Sequence, residues 1–466
     1  MDVMDFARMV YDTLPYTPNT QQVQLIAALA RFCSKSTPSD SVFLLNGYAG
    51  TGKTSLCAAL VHCLNTVGIG TVLLAPTGRA AKVFGTFAHH PAYTIHRRIY
   101  NVGGSEVSDA RHVSLAENRA RNTVFIVDEA SMIGNDATSG YLLEHLVHYV
   151  YSGVNCRMIL LGDTAQLPPV GCDESPAMVP EVLRGFGLRV SRAVITATVR
   201  QASDSGILYN ATWLRHALRK EPLPAPVITE SPFSDVHIVA GEELEDMLSQ
   251  SYAENGVINT ILITRSNKRA TSFNLAVRNR IFYHEEMLCR DEILIVAKNN
   301  YFWSREVKGL DFIANGDIAV VDSVHATEQR YGMNFADVTL RLPYRDTAFD
   351  CKIMLDTLTL DEAHLSREVM VQLYEKIIND PDDPEESAAT RAAKALKSPY
   401  FNALQVKYGY ALTCHKAQGG QWDNVYIDAA GIDTEAIGHD FFRWLYTAIT
   451  RATQSLYIIN PTITVR

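Results

Sequence analysis

The sequence predicts an α/β protein with two parallel-sheet lobes and a small β-rich insertion in the second lobe. Short apolar, β-branched runs alternate with helical patterns along most of the chain, an arrangement typical of parallel sheets. Several of these runs end in small or polar residues, and open α/β sheets bind their ligands at such strand ends. A stretch at about 300–395 differs, because it opens with hairpin-like strands around an Asn-Gly turn at Asn315–Gly316.

The apolar runs divide the chain into the expected lobes. The first lobe, residues 1–190, contains the runs SVFLLNG, TVLLAPT, TVFIVDEA and RMILLGDT. The second lobe, residues 191–299 and 396–466, contains VINTILITRS, DNVYIDAA and SLYIIN. The β-rich insertion, residues 300–395, separates the two parts of the second lobe and contains a solvated acidic loop, NDPDDPEES.

Length and composition are typical of a soluble enzyme. The 466 residues are too many for one simple core, so several domains are expected. The chain is 47% hydrophobic and 20% charged, as in ordinary globular proteins. No apolar run reaches the length of a membrane span, and the acidic N-terminus does not resemble a secretory signal. We therefore expect a cytoplasmic protein with no membrane partner.

Cysteine usage and net charge limit the possible partners. The eight cysteines contain no CxxC pair, which argues against a zinc site or a disulfide framework and fits a reducing compartment. The formal net charge is −9, so the protein lacks the basic excess of many nucleic-acid binders. Any nucleic-acid contact must therefore use a local groove of backbone amides and a few basic side chains.

The segment GYAGTGKT, Gly47–Thr54, has the pattern of a phosphate-binding loop. It follows the apolar run SVFLLN and precedes a helical pattern, which is the context that such a loop requires. Lys53 is expected to neutralise the β- and γ-phosphates of ATP, and Thr54 to hold Mg²⁺. A chance glycine-rich turn is the alternative, and the flanking elements argue against it. The predicted nucleotide contacts are Gly47, Gly50, Thr51, Gly52, Lys53, Thr54 and Ser55.

Two further strand ends carry polar residues suited to ATP hydrolysis. Asp128 and Glu129 end the run TVFIV; Asp128 is expected to hold Mg²⁺ through water, and Glu129 to polarise the attacking water. An Asp-Glu pair alone is commonly a solvated turn, but its position after an apolar strand downstream of the loop favours catalysis. In GDTAQLPPV (162–170), Gln166 can sense the γ-phosphate or orient the water. The alternative there is a polar turn.

With these three elements in order, the chain resembles the superfamily 1 helicases. The later motifs are similar to those of the B subgroup, which contains the petite-integration-frequency (PIF), RecD-like and Dda helicases. These motifs are LLAPTGRAAK (73–82), TIH (94–96), ITATVRQ (195–201), YALTCHKAQGGQWDNVYID (410–428) and RWLYTAITRA (443–452). The resemblance implies two RecA-like lobes, an SH3-like insertion and ATP-dependent, 5′-to-3′ DNA helicase activity. It leaves the PIF-type and RecD-like assignments open.

The resemblance also assigns residues to the ATP site. Gln22, in TPNTQQ, would read the adenine edge, and Gln21 is the competing choice. Arg200 and Arg451 would be arginine fingers that reach the γ-phosphate from the second lobe, where a planar guanidinium stabilises developing charge. Gly419, in HKAQG, would also contact the nucleotide. An isolated arginine is usually a surface residue, so the arginine-finger assignments rest on the motifs in which Arg200 and Arg451 occur.

The DNA track is implied in the same way. The residues assigned to it are Pro76, Thr77, His96, Thr264, Thr413, His415 and Lys416. Hydroxyl, imidazole and amide groups can bind phosphates without sequence preference, and the alternative for each Thr or His is an ordinary cap or core hydrogen bond. The family carries a small strand-separating element, 1B, at about 99–118. The implied partners are single-stranded and tailed duplex DNA, with G-quadruplex DNA as a further candidate, bound by a monomer in the nucleoid.

Other functions are compatible with parts of this pattern. A superfamily 1 RNA helicase and a translocase that does not unwind are the alternatives within enzymes. A nucleotide-gated switch with a decayed ATPase is the alternative outside them. The presence of every predicted catalytic residue argues against decay, and a metabolic P-loop kinase would need no HKAQG or ATVRQ motif. The family's roles in DNA repair, recombination and telomere maintenance are implied by resemblance alone.

Overall fold

The structure is a computed structural model, in which two parallel sheets and a small closed barrel form the framework. It describes residues 2–101, 114–136, 141–198, 204–305, 307, 310, 312–343, 347–380, 387–433 and 437–466. Within these ranges, both sheets have helices packed against them, and this confirms the predicted α/β class with two lobes.

The first lobe is a six-stranded parallel sheet with the strand order β3-β2-β4-β5-β1-β6. Its strands are β1 (Ser41–Gly47), β2 (Gly70–Ala75), β3 (Ala92–Thr94), β4 (Thr123–Val127), β5 (Arg157–Gly162) and β6 (Arg189–Ile195). Its helices are α1 (Val3–Thr13), α2 (Thr20–Phe32), α3 (Lys53–Thr66), α4 (Gly78–Ala88), α5 (Ile95–Ile99), α6 (Leu142–Ser152) and α7 (Pro180–Gly185). Strands β1, β4 and β5 are buried along their whole length, because apolar clusters cover both faces of the sheet.

The first lobe extends beyond its predicted end at residue 190. Strand β6 pairs in parallel with β1 from Ser41↔Arg189 to Gly47↔Ile195. The prediction was wrong here because β6 is an edge strand with mostly exposed or half-buried side chains, so its sequence lacks the continuous apolar pattern of the central strands. We therefore propose that the boundary follows Ile195.

The second lobe is a five-stranded parallel sheet with the order β15-β9-β16-β17-β8. Its strands are β8 (Val236–Val239), β9 (Thr260–Thr264), β15 (Ala411–Thr413), β16 (Trp422–Asp428) and β17 (Ala452–Ile459). Its helices are α8 (Gly206–Ala217), α9 (Leu244–Asn255), α10 (Asn267–Arg280), α13 (Cys414–Ala417) and α14 (His439–Ile449). A two-stranded sheet of β7 (Val227–Ile228) and β18 (Thr464–Val465) completes it.

The insertion in the second lobe is a closed five-stranded barrel. Its strands are β10 (Ile293–Val296), β11 (Ile318–Arg330), β12 (Met333–Leu342), β13 (Thr347–Met354) and β14 (Leu404–Tyr408), and helices α11 (Arg367–Ile378) and α12 (Ala388–Lys397) lie between β13 and β14. The predicted limits, 300–395, are therefore too narrow, because the barrel begins with β10 and ends with β14. These two strands pair with each other, so the connections to the second lobe lie side by side.

The turns of the barrel also differ in part from the prediction. The Asn315–Gly316 turn is present, with Gly316 at φ 88°, but it leads into β11. The tight hairpin between β11 and β12 instead turns at Tyr331–Gly332, where both residues have positive φ. That geometry is the one expected of a two-residue hairpin.

A buried ion pair joins the second lobe to the barrel. Arg278 of α10 donates through Nε and Nη2 to the carboxylate of Glu292, just before β10, and their side chains are 4% and 0% exposed. Replacing Arg278 with Met should lower the free energy of unfolding by about 3–5 kcal/mol, because the buried Glu292 carboxylate would lose its guanidinium partner. Urea denaturation measures this. Arg280→Met, on the exposed face of the same helix, is the control, and equal effects of the two variants would contradict the prediction.

Within the described residues, the helices are too short or too polar to cross a membrane.

Candidate nucleotide-binding cleft

A cavity of about 450 Å³ lies between the two lobes and brings most of the predicted ATP-site residues together. The first lobe lines it with Gly50, Thr51, Gly52, Lys53, Thr54, Ser55, Asp128, Glu129 and Gln166. The second lobe lines it with Gly419 and Arg451, among others. Residues from five separate segments therefore face one space, although up to about 400 positions separate them in the sequence.

The phosphate-binding loop runs from the end of β1 to the start of α3. Gly50 and Gly52 have φ values of 72° and 80°, in the left-handed region that favours glycine. Lys53 folds back on the loop, where Nζ donates to the carbonyl oxygens of Gly47 and, at 3.1 Å, Tyr48. A Cβ at Gly47 would lie 2.7 Å from Cδ of Lys53, so this glycine makes room for the lysine side chain. The loop amides and Lys53 thus form a cationic cradle at a helix N-terminus.

The two acids follow β4 directly. The backbone amide of Glu129 donates to Oδ1 of Asp128 at 2.8 Å. Burial, together with the neighbouring Glu129 carboxylate, raises the pKa of Asp128 to about 7. A divalent cation at this position would favour the ionised carboxylate. Asp128 and Thr54 line the same cavity, and the carboxylate and hydroxyl oxygens that they carry are ligands that fit Mg²⁺.

Gln166 is 7% exposed and lies in the turn after β5. Among the described residues, its Oε1 atom is a buried side-chain oxygen without a hydrogen-bond partner. Leaving such an oxygen unpaired costs about 1–3 kcal/mol. Because Gln166 lines the cleft, this oxygen can accept a hydrogen bond from a group bound there once the side chain turns toward the cleft.

The structure gives Gln22 a different role from the predicted contact with adenine. Its side chain is 1% exposed and forms a capping box with Asn19 at the start of α2. Its Nε2 donates to the carbonyl of Thr51 at 2.9 Å and to the hydroxyl of Tyr16 at 3.3 Å. The alternative, Gln21, accepts from the backbone amides of residues 196 and 197. Gln22 therefore supports the phosphate-binding loop, whereas Tyr16 lines the cleft.

Arg451 lines the cleft, but its guanidinium contacts oxygens of its own lobe. Nε donates to the carbonyl of Thr447 at 3.0 Å, Nη1 to the carbonyl of Gly420 at 3.3 Å, and Nη2 to the hydroxyl of Thr450 at 3.0 Å. A contact between Arg451 and a γ-phosphate requires that these bonds be exchanged. Arg200 lies outside the described residues.

Gly419 brings the second lobe close to α4 of the first. It has a φ of 71°, and a Cβ there would lie 2.9 Å from Cβ of Ala80 and 3.3 Å from Oγ1 of Thr77. Any larger residue would therefore push the lobes apart. Thr77, which follows Pro76, caps α4 by accepting from the amide of Ala80 at 3.2 Å.

The remaining residues assigned to DNA differ in accessibility. His415 is exposed, whereas Thr413 and Lys416 are half-buried at the start of α13, and burial lowers the pKa of Lys416. His96 lies on α5, where burial lowers its pKa. Of the predicted 1B element, residues 102–113 lie outside the described part of the chain, and Tyr100 pairs with Leu115 within the described part of it.

Thr264 does not fit the predicted DNA contact. It is 0% exposed at the end of β9, and its hydroxyl lies 3.0 Å from the carbonyl of Ser266 and 3.3 Å from that of Leu412. The prediction was wrong because the hydroxyl is used inside the second lobe.

Several contacts between the lobes were not predicted from the sequence. Arg79 of α4 lies 3.7 Å above the ring of Trp422, and Arg219 donates to the hydroxyl of Tyr48 at 2.7 Å. The hydroxyl of Tyr446 on α14 accepts from the amide of Ala49 in the phosphate-binding loop at 3.0 Å. A signal for α14 existed: residues 443, 446, 447 and 450 recur at helical spacing and share one face of the helix.

Comparisons with known proteins agree with the motifs. An AAA domain model matches residues 18–206, and a UvrD-like helicase C-terminal domain model matches residues 408–459. The ATP-dependent RecD2 DNA helicase of Deinococcus radiodurans is 34% identical over 173 residues, which cover 37% of this chain and 21% of that protein. The ATP-dependent DNA helicase dda of Enterobacteria phage T4 is 31% identical over 137 residues, 29% of this chain and 30% of that protein.

The chain thus spans a fifth to a third of the length of these two relatives. Among solved structures, Pif1 helicase from Bacteroides in complex with ADP-AlF3 and ssDNA has a TM-score of 0.49 and 13% identity, covering 96% of this chain and 94% of that chain. The motifs occur in family order, and the two family models match the first lobe and the second lobe. These matches agree with the resemblance of the motifs to the superfamily 1B helicases, the group that contains the PIF, RecD-like and Dda proteins.

Proposed function

We propose that this protein is an ATP-dependent DNA helicase that moves 5′ to 3′ along single-stranded DNA and unwinds duplex DNA. The observation that carries the proposal is the cleft between the lobes. The phosphate-binding loop, both acids and Gln166 line it from one lobe, and Arg451 lines it from the other. A site divided in this way converts nucleotide binding and hydrolysis into movement of one lobe against the other.

The first lobe would bind and activate the nucleotide. Lys53 would exchange the carbonyls of Gly47 and Tyr48 for phosphate oxygens. Thr54 and Asp128 would hold Mg²⁺, which neutralises phosphate charge. Glu129 would accept the proton of the attacking water, and Oε1 of Gln166 would orient that water. The unpaired state of this oxygen supports the assignment.

The second lobe would complete the site when the cleft closes. Arg451 would exchange oxygens of its own lobe for the γ-phosphate, and Arg200 would act beside it as a second finger. A guanidinium stabilises the charge that develops during phosphoryl transfer. Hydrolysis would then depend on the position of the second lobe.

The DNA would cross both lobes beside this cleft. Thr77 and the segment containing Thr413, His415 and Lys416 belong to motifs that line the track in the family. The close approach of Gly419 to Thr77 supports the idea that these motifs meet across the lobes. Hydroxyl and basic groups of this kind contact the phosphates of the DNA backbone, so they bind without preference for a base sequence. His96 would extend the track on the first lobe.

Polarity is tested with matched substrates. We expect ATP-dependent strand displacement from duplexes with a 5′ single-stranded tail and little displacement from duplexes with a 3′ tail, because the motifs are those of the 5′-to-3′ subgroup. The two substrates should share duplex and tail sequence, and a blunt duplex is the control. Preferred opening of the 3′-tailed duplex would refute the polarity.

Further assays define the substrate. ATPase stimulation by single-stranded DNA should exceed stimulation by RNA of the same sequence, and the reverse would favour an RNA helicase. Stimulation without strand displacement would indicate a translocase. A G-quadruplex placed behind a 5′ tail tests that substrate.

We also propose that the protein is a monomer that acts in the cytoplasm, on nucleoid DNA. Sedimentation tests the proposed monomer.

A further inference from the structure

The turn that carries Gln166 is held at both ends by one helix of the second lobe. At one end, Oδ2 of Asp163 accepts from the hydroxyl of Tyr446 at 2.7 Å. At the other end, the amide of Leu167 donates to Oγ1 of Thr447 at 2.9 Å. Tyr446 and Thr447 are neighbours on α14 and are 1% and 0% exposed, so both bonds are shielded from water.

Tyr446 also reaches the phosphate-binding loop. Its hydroxyl oxygen accepts from the amide of Ala49 at 3.0 Å while it donates to Asp163. Burial raises the pKa of Tyr446 well above its usual range, so the hydroxyl keeps the proton that it donates. One side chain of the second lobe thus connects two catalytic segments of the first lobe.

The turn itself is compact, so its ends determine where Gln166 points. The amide of Ala165 donates to Oδ1 of Asp163 at 3.0 Å, and the amide of Gln166 donates to the carbonyl of Asp163 at 3.1 Å. A shift at either end is therefore transmitted to Gln166. At the far end, Gln418 of the second lobe adds a bond from Nε2 to the carbonyl of Leu167 at 2.7 Å.

We propose that Tyr446 and Thr447 are positioning residues for ATP hydrolysis, which make the orientation of Gln166 depend on docking of the second lobe. The inference rests on the proposed function, in which Gln166 orients the attacking water. Neither residue lines the cleft, so each acts through the turn between Asp163 and Leu167. A misplaced catalytic group can cost about 100-fold in rate, whereas nucleotide binding by the loop does not need Gln166.

The test uses substitutions that remove single hydroxyl groups. Tyr446→Phe removes the bonds to Asp163 and to the amide of Ala49, whereas Thr447→Val removes the acceptor for Leu167. Thr447→Ser retains that acceptor. Tyr426→Phe is the matched control, because Tyr426 is also buried in the second lobe but its hydroxyl bonds only within that lobe, to Ser251 and to the carbonyl of Met247.

We expect kcat of DNA-stimulated hydrolysis to fall roughly 10- to 100-fold in Tyr446→Phe and Thr447→Val. Thr447→Val, which leaves the contact with the phosphate-binding loop intact, should keep its affinity for a fluorescent ADP. Thr447→Ser and Tyr426→Phe should retain wild-type kcat. Wild-type rates in both Tyr446→Phe and Thr447→Val would overturn the proposal. A parallel loss of ADP affinity in Thr447→Val would also overturn it, because Thr447 would then act on the phosphate-binding loop and not on Gln166.

A double-mutant cycle tests the route. In a Gln166→Ala background, Tyr446→Phe and Thr447→Val should lower kcat no further, because residues that act through one group are not additive. If instead Tyr446→Phe or Thr447→Val lowered kcat by the same factor in the Gln166→Ala background as in the wild-type protein, the proposal would be overturned.

Amide hydrogen exchange separates this inference from the proposed function. Without nucleotide, amide exchange in the segment 163–167 should be faster in Thr447→Val than in Thr447→Ser. Equal exchange in the two variants would refute the idea that Thr447 holds this turn in place. If the wild-type protein hydrolysed no ATP while this difference persisted, the proposed function would fail and the contact would stand. Thermal melting identifies a variant that does not fold. If Tyr446→Phe is such a variant, the comparison of Thr447→Val with Thr447→Ser decides whether the proposal stands.

Discussion

Lys53→Ala should abolish ATP hydrolysis. Among the described residues that line the cleft, the positively charged side chains are Lys53 and Arg451. The guanidinium of Arg451 is bound to three oxygens of its own lobe, so Lys53 is the charge available to the β- and γ-phosphates when the nucleotide binds. Its Nζ already lies against the loop carbonyls, within the cradle formed by the loop amides.

Phosphate release over time, with and without single-stranded DNA, measures the effect of Lys53→Ala. We expect loss of turnover together with weaker nucleotide binding, because the lysine contacts bound phosphates before and during the reaction. Lys35→Ala, an exposed lysine in the same lobe, is the control. Near-wild-type hydrolysis by Lys53→Ala would mean that this loop is not the site of reaction.

Arg451→Ala should lower kcat by about 10³–10⁵, the range measured for arginine fingers, while nucleotide affinity changes little. The two effects separate because the guanidinium contacts its own lobe in this structure and would reach a γ-phosphate only after these bonds are exchanged. Arg451→Lys should recover little activity, because an ammonium lacks the planar pair of donors. Single-turnover hydrolysis and binding of a fluorescent ADP measure the two quantities.

A structural role for Arg451 predicts a different result. The three bonds to the second lobe would then stabilise the fold, and Arg451→Ala would lower the melting temperature without a selective loss of kcat. Arg280→Ala, an exposed arginine of the same lobe, serves as the control. Normal hydrolysis by Arg451→Ala with DNA present would remove Arg451 from the catalytic site.

The sequence by itself determined the α/β class, the two lobes and the chemistry at three strand ends. Gly50, Gly52 and Lys53 could be assigned because backbone conformation and charge at a phosphate-binding loop are local requirements. Asp128 and Glu129 could be assigned because an apolar run places the residues after it at the ligand-binding edge of a parallel sheet. The loop and the strand end each depend only on residues that are neighbours in the sequence, so a sequence pattern is enough to predict them.

Only the tertiary structure decided which surfaces meet. Strand β6 and the barrel strands β10 and β14 were misassigned because strand pairing joins residues that are distant in sequence. Gln22 and Thr264 were assigned to ligands, but burial and hydrogen bonding give both a structural role. Tyr446 was not singled out because its function depends on a contact across 283 positions with Asp163. Periodicity indicates which face of a helix is buried, whereas its partner is determined by the packing of the whole chain.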